Sequence, residues 1–313
     1  LMKKATLFIL LLWTHASYAQ DDLLNMLNQE LPEETIYTQA TFKATRLING
    51  QTMETISRNH LNFWISHRFG SVNSGFISNF FGLDEARIRL GLEYGITDRL
   101  LVGVGRSSEE KTYDFYTKYK VLRQSNDFPF TLSAYGSMAV NTMATGYVMN
   151  SESQMKFYSN AERLTYTSQL LIGRKFSEKI SMQLVPTFIH INKVENPYMD
   201  NNLFSLGMGG RYKVSNRVTL SAEYYYNFLD RDVYQLETGT PYPYHNSLSL
   251  GVDIDTGGHV FQLHFTNARG MVERHFIALN TGTWENADIF YGFNIARTFS
   301  LGRDNKRKKN NIS

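Results

Sequence analysis

Between Val218 and Phe228 every second residue is apolar or aromatic: Val218, Leu220, Ala222, Tyr224, Tyr226 and Phe228. The positions between them, Thr219, Ser221, Glu223, Tyr225 and Asn227, are polar or aromatic, the period-2 signature of a strand with one apolar and one wet face. The preceding stretch, Gly209 to Lys213, and the turn residues Ser215 and Asn216 complete an amphipathic hairpin. The pattern recurs from Leu61 onward, with Leu61, Phe63, Ile65 and Phe69 against Asn62, Ser66, Arg68 and Trp64, and Ala86, Ile88, Leu90, Leu92 and Tyr94 against Arg87, Arg89, Gly91 and Glu93. Many such pairs without a long apolar run predict an all-β chain, a single antiparallel transmembrane β-barrel.

Composition narrows the choice. The chain has 19 Tyr and 21 Phe, which suit a pleated surface, and no run of the roughly 20 apolar residues that a membrane helix needs. Residues 1–19 read as a signal peptide: Lys3 and Lys4, an apolar stretch from Ala5 to Trp13, then the small-x-small site Ser17-Tyr18-Ala19. No cysteine is present, so neither a disulfide nor a lipidated cysteine holds this chain. The formal charge of +3 falls to about +1 without Lys3 and Lys4. Arg303, Lys306, Arg307, Lys308 and Lys309 against Asp304 place +4 in the tail and leave the body near −3, which argues against a nucleic-acid partner.

Strands are expected over 55–69, 86–94, 100–106, 112–121, 130–143, 161–176, 180–193, 202–213, 218–228, 247–254, 260–267 and 289–301. Four connections, ITDRLLVGV, FSEKISMQL, VSNRVTLSA and DTGGHVFQL, put two or three turn residues before a fresh strand, and they alternate with longer connections. In outer-membrane barrels short turns lie in the periplasm and longer loops outside. That parity gives about twelve strands; counting Thr38 to Leu47 and a weak strand near Arg274 to Asn280 gives fourteen as the alternative. Asp21 to Gln29 reads as a short helix stopped by Pro32, and Asn49-Gly50 as a two-residue turn. The expected organisation is a leader (1–19), a periplasmic or lumen-entering segment (20–53), an outer-membrane barrel (54–301) and a basic periplasmic tail (302–313).

The segments TFKATRLING, FWISHRFG, IRLGLEYGITDRLLVGVGRSS, YDFYTKYKVLRQ, QLHFTNARGM and YGFNIARTF resemble a Bacteroidetes family of outer-membrane β-barrel proteins of unknown function. The resemblance spans most of the chain after the leader and implies location and fold, with no catalytic residues to carry over. The partners expected are outer-membrane lipid, the barrel-assembly machinery that reads an aromatic-rich closing strand, and a periplasmic or cell-surface protein.

The register aims Arg68, Arg87, Arg89, Glu93, Asp114, Lys118, Lys120, Arg211, Glu223 and Asp253 into the lumen, with Arg87, Arg89 and Glu93 the first candidates for permeation. Rings of charge tune pore selectivity. Such residues also pair with one another in a narrow lumen, because an unpaired buried charge is costly, and that is the expectation for most of them. No histidine pair has the spacing of a zinc site and no serine sits in a G-x-S-x-G elbow, so neither cofactor nor enzyme activity is expected. His190 falls in the apolar register near a loop, as an interfacial ring does. The function expected is a passive channel or solute-binding barrel, with a non-conducting structural or partner-binding barrel as the alternative.

Overall fold

The computed structural model describes residues 35–144, 148–150, 153–154, 157–195 and 197–301. The leader, the helix expected over 21–29 and the basic tail lie outside the described residues. Twelve antiparallel strands close into one barrel. They are β1 His60–Ser71, β2 Ala86–Gly95, β3 Leu100–Ser107, β4 Tyr113–Leu122, β5 Thr131–Val140, β6 Leu164–Lys175, β7 Ile180–Ile191, β8 Asn202–Lys213, β9 Val218–Phe228, β10 Ser247–Asp255, β11 His259–Thr266 and β12 Phe290–Ser300. Each pairs with its neighbours in sequence, and β12 pairs back onto β1, from His60 opposite Ser300 to Ser71 opposite Phe290. Closure leaves no unpaired strand edge, the condition for crossing a membrane with strands.

The strands sit close to where the alternation places them, and β8 and β9 match residue for residue. Two expectations change. β1 begins at His60 and not at Thr55; residues before it are tied to the β2–β3 turn, with Thr55 Oγ1 donating to Asp98 O and the Arg58 amide to Asp98 Oδ1. The weak strand near Arg274 is instead a π-helical turn, Arg274–Ala278, folded into the lumen, which removes the fourteen-strand alternative.

One end of the barrel carries short turns, at residues 96–99, 123–130, 176–179, 214–217 and 256–258. Four of them share a device. Thr97, Ser125, Ser177 and Ser215 each turn a hydroxyl oxygen onto the two backbone N–H groups two and three residues on, so a short polar side chain fixes the reversal locally. The other end carries the longer loops, including 72–85, 229–246 and 267–289.

Outside, the strands present Leu90, Leu92, Leu170, Leu184, Phe204, Leu250 and Leu263, all well exposed, as a band for lipid. Near the long-loop end, aromatic pairs Phe188–Phe204, Tyr226–Phe228 and Phe69–Tyr291 collect at 4.9–5.1 Å, where an interfacial girdle belongs. His190 faces outward there and bonds Asn202.

The lumen is filled. From the short-turn end, residues 42–54 enter as a hairpin, with Thr52 donating to Thr45 O and Leu47 to Gly50 O across its tip. Phe42, Leu47, Ile48 and Met53 on it are 0–3% exposed. From the long-loop end, residues 268–278 fold inward and bury Ala268, Met271, Val272 and Phe276. The two meet, Gln51 and Arg46 of the hairpin reaching Glu273 of the loop at 3.3 and 3.9 Å. One apolar cluster joins Leu47 and Met53 to Phe276 and Ile277 through wall residues Leu171, Val185, Ile189 and Tyr225.

Candidate functional site

The inward register of the wall is the site, and the hairpin occupies it. Glu223, midway along β9, accepts from three consecutive backbone N–H groups at the hairpin tip: Ile48 at 3.3 Å, Asn49 at 2.8 Å and Gly50 at 3.0 Å. A carboxylate accepting three amides satisfies donors that a tight turn otherwise leaves orphaned. Asn294 donates to Ile48 O and Gln262 to Leu47 O, at 2.8 and 2.7 Å. Arg68 binds Asn49 Oδ1 and Asn294 Oδ1.

Lower on the hairpin, Lys118 donates to Thr45 O and Glu54 O, while Gln183 and Ser133 hold Gln51 O and Met53 O. Glu93 is fully buried and accepts from Thr45, Asn62, Trp64 and Tyr116 at 2.7–3.1 Å. Trp64 thus stands on the polar face of β1, where the alternation puts it.

Shape matches polarity. At Gly209 an added Cβ would stand 2.7 Å from Leu47 Cδ2, and at Gly173 it would fall on the Met53 methyl. Only the missing side chain leaves room there for the hairpin's apolar anchors. Each anchor so buried contributes about 1.5–3 kcal/mol of transfer energy.

The ten lumen candidates divide by partner. Arg68, Glu93, Lys118 and Glu223 hold the hairpin as described; Lys120 pairs with Glu54 at 3.1 Å and Arg211 donates to Ala40 O. Arg89 on β2 and Asp114 on β4 form a buried two-bond ion pair across the intervening β3, with Arg89 Nε 3.0 Å from Asp114 Oδ1. Asp253 accepts from Ser221. Arg87 lies at the long-loop rim against Glu109 at 2.9 Å. The expectation that these groups chiefly pair with one another therefore needs correction: within the set only Arg89 and Asp114 do so, and the hairpin supplies most of the other partners.

The long-loop plug has its own lock, formed by residues that sequence reasoning did not select. Glu110 accepts from Arg274 Nε at 3.0 Å and lies 3.1 Å from His275 Nε2. Burial alone would raise the Glu110 carboxyl, but Arg274 and His275 outweigh it and hold the group well below the usual carboxylate range. Beside it, burial raises Glu195, partly offset by a hydrogen bond from Tyr244.

A signal for the plugs does exist in the strands. Leu101, Leu171, Val185, Ile189 and Ile191 are buried apolar residues on the lumen face, next to apolar residues on the lipid face, as in Leu100-Leu101, Leu170-Leu171 and Leu184-Val185. Apolar residues on both faces of a strand mean that something other than water fills the interior.

At the short-turn end two vestibules flank the hairpin. One is lined by Lys43, Glu54, Asp255 and His259; the other, the larger, by Glu54, Arg99, Lys120 and Arg123. No group of three or more metal-ligating side chains occurs among the described residues.

No curated protein matches the chain. Among solved structures the fold resembles the NanC porin (10% identity, 76% of this chain and 98% of that one, TM-score 0.46) and the COG4313 outer membrane channel from Pseudomonas putida F1 (15%, 79% and 98%, 0.43). It also resembles an active-site mutant of the outer membrane phospholipase A from Escherichia coli (13%, 79% and 93%, 0.40). At such identities the likeness is one of barrel fold alone. The model of the family described as membrane bound beta barrel domain (DUF5777) matches residues 42–299, hairpin and barrel together, and the chain belongs to that family.

Proposed function

We propose that this protein is an outer-membrane solute channel whose lumen is closed from the short-turn end by its own N-terminal hairpin and from the long-loop end by residues 268–278. The seat of the hairpin carries the reading: its tip rests on Glu223 through three backbone amides, and every contact is non-covalent. The end from which it enters keeps the two vestibules. A polar wall with a withdrawable occupant is what a gated pore requires, and the passive channel expected from the sequence becomes a closed one in this state. The reading includes export through a cleavable leader, short turns in the periplasm, lipid around the apolar band, assembly by the machinery that recognises strands such as β12, and no catalytic role.

A second reading, a non-conducting barrel with a permanent plug, draws on the apolar anchors Phe42, Leu47, Ile48 and Met53, which are seated as deeply as a soluble core. Planar-bilayer recording separates the two. The wild-type chain should be closed for most of the record, and Leu47→Asp, which puts a charge against Gly209, combined with Glu110→Ala, which frees the loop 268–278 at the other end, should conduct. A folded double variant without conductance would favour the permanent plug.

A further inference from the structure

The wall holds the hairpin mainly by its main chain, and this names a class of ligand. Lys118, Ser133, Gln183, Gln262 and Asn294 donate to backbone carbonyls of residues 45–54, and Glu223 accepts from backbone amides at the tip. These six side chains stand on six different strands, so the recognition runs around the lumen instead of along one wall. All are at most 4% exposed, and each meets its peptide group directly, at 2.7–3.3 Å. Contacts that depend on the hairpin's own side chains are a separate set: Thr45 on Glu93, Asn49 on Arg68 and Ser249, Glu54 on Lys120, Lys43 on Asp255, and the glycine hollows at 173 and 209.

Peptide carbonyls and amides are the same in every polypeptide. A wall of buried donors spaced to meet carbonyls, with a carboxylate placed for consecutive amides, retains that match when its first occupant leaves. Its alternative partner is water, and any chain with peptide groups competes with water as the hairpin does. The occupied lumen accommodates two chain segments side by side, Arg46 bridging to Gln51, which leaves width for one extended peptide with its hydration. The glycine hollows then take apolar side chains of the incoming chain, as they take Leu47 and Met53 now.

We propose that the lumen is a peptide-binding site, and that short extended peptides are the solute class the channel takes when the hairpin withdraws; this rests on the gated-channel reading. The hairpin is in that sense an internal competitor for its own pore.

The test uses the full chain carrying Leu47→Asp, with Gly209→Leu as a second hairpin-releasing variant should the first not fold, and with Glu110→Ala added for the bilayer recordings to free the loop 268–278. The probes are a fluorescein-labelled pentapeptide, Gly-Ala-Gly-Ala-Gly, and a labelled maltotriose of similar size, followed by anisotropy in detergent and by current blockade in bilayers. The released barrel should bind the pentapeptide more tightly than the sugar, and wild type should bind neither. Glu223→Gln in the released background should weaken the peptide about tenfold, through loss of charge-assisted bonds. Equal or preferred binding of maltotriose, or no loss with Glu223→Gln, would overturn the peptide site. Peptide binding without conductance would overturn the channel and leave the peptide site standing; conductance without peptide preference would do the reverse.

Discussion

The two segments that close the lumen are held in opposite ways. The hairpin 42–54 enters from the short-turn end, and neutral and charged wall groups grip its backbone while glycines make room for its apolar side chains. The loop 268–278 enters from the long-loop end and is locked through its own side chains, Arg274 and His275 on Glu110, with Phe276 and Ile277 in the apolar cluster. A grip on backbone depends on shape and is nearly indifferent to sequence. A lock of buried charges depends on each partner, because removing one strands the other. The hairpin is thus built to be exchanged as a unit, and the loop to yield at one point.

Substitutions that strike one plug should leave the other in place. Glu110→Ala strands Arg274 in a buried site and should cost about 3–5 kcal/mol; hydrogen exchange at residues 272–278 should accelerate while residues 46–53 stay protected. Glu223→Ala leaves three buried amides without an acceptor, at about 1–3 kcal/mol for such a loss. Its exchange pattern should be the reverse, fast at 48–50 and slow at 272–278. Equal acceleration at both ends in either variant would mean that the plugs open as one body through Glu273.

Acidity should separate them further. The native Glu110 pKa is depressed, so its contribution is complete above the unfolded value near ~4.3 and is lost as pH falls through the native one. Glu195 is shifted the other way; its contribution is present below the unfolded value and lost as pH rises through the raised one. Exchange at 274–278, corrected for intrinsic rate, should therefore stay slow from neutral pH to about pH 4 and rise below it, and Glu110→Gln should abolish that rise. The smallest effect is expected of Lys43→Ala, which removes a partly exposed pair with Asp255 and should change hairpin protection by less than about 1 kcal/mol.

Much of the barrel was legible because a closed sheet writes its two faces into alternate residues. Val218 to Phe228 shows every lipid-facing and lumen-facing position of β9, and Ser215 and Ser177 announce its turn from β8 and the turn between β6 and β7. The alternation also turned the ten charged candidates inward. Their partners were not legible, since a strand's pattern records which face a residue is on and not what stands opposite. Glu223 looked like a pore carboxylate because the amides it accepts belong to a turn some 170 residues earlier in the chain. Asn49-Gly50 marked that turn without saying where it rests. The lock at Glu110 was hidden for another reason: Arg274 and His275 lie in a π-helical turn, whose period matches neither strand nor ordinary helix.

The seating of the hairpin is read most directly by thiol labelling, since the chain has no cysteine of its own. Met53→Cys places a thiol at a fully buried position against Gly173, and Glu178→Cys places one in an exposed short turn. With a membrane-impermeant maleimide in detergent, Glu178→Cys should label to completion while Met53→Cys stays unlabelled. Adding Gly173→Leu should make Met53→Cys reactive. Labelling of both single variants at the same rate would contradict a lumen closed by residues 42–54.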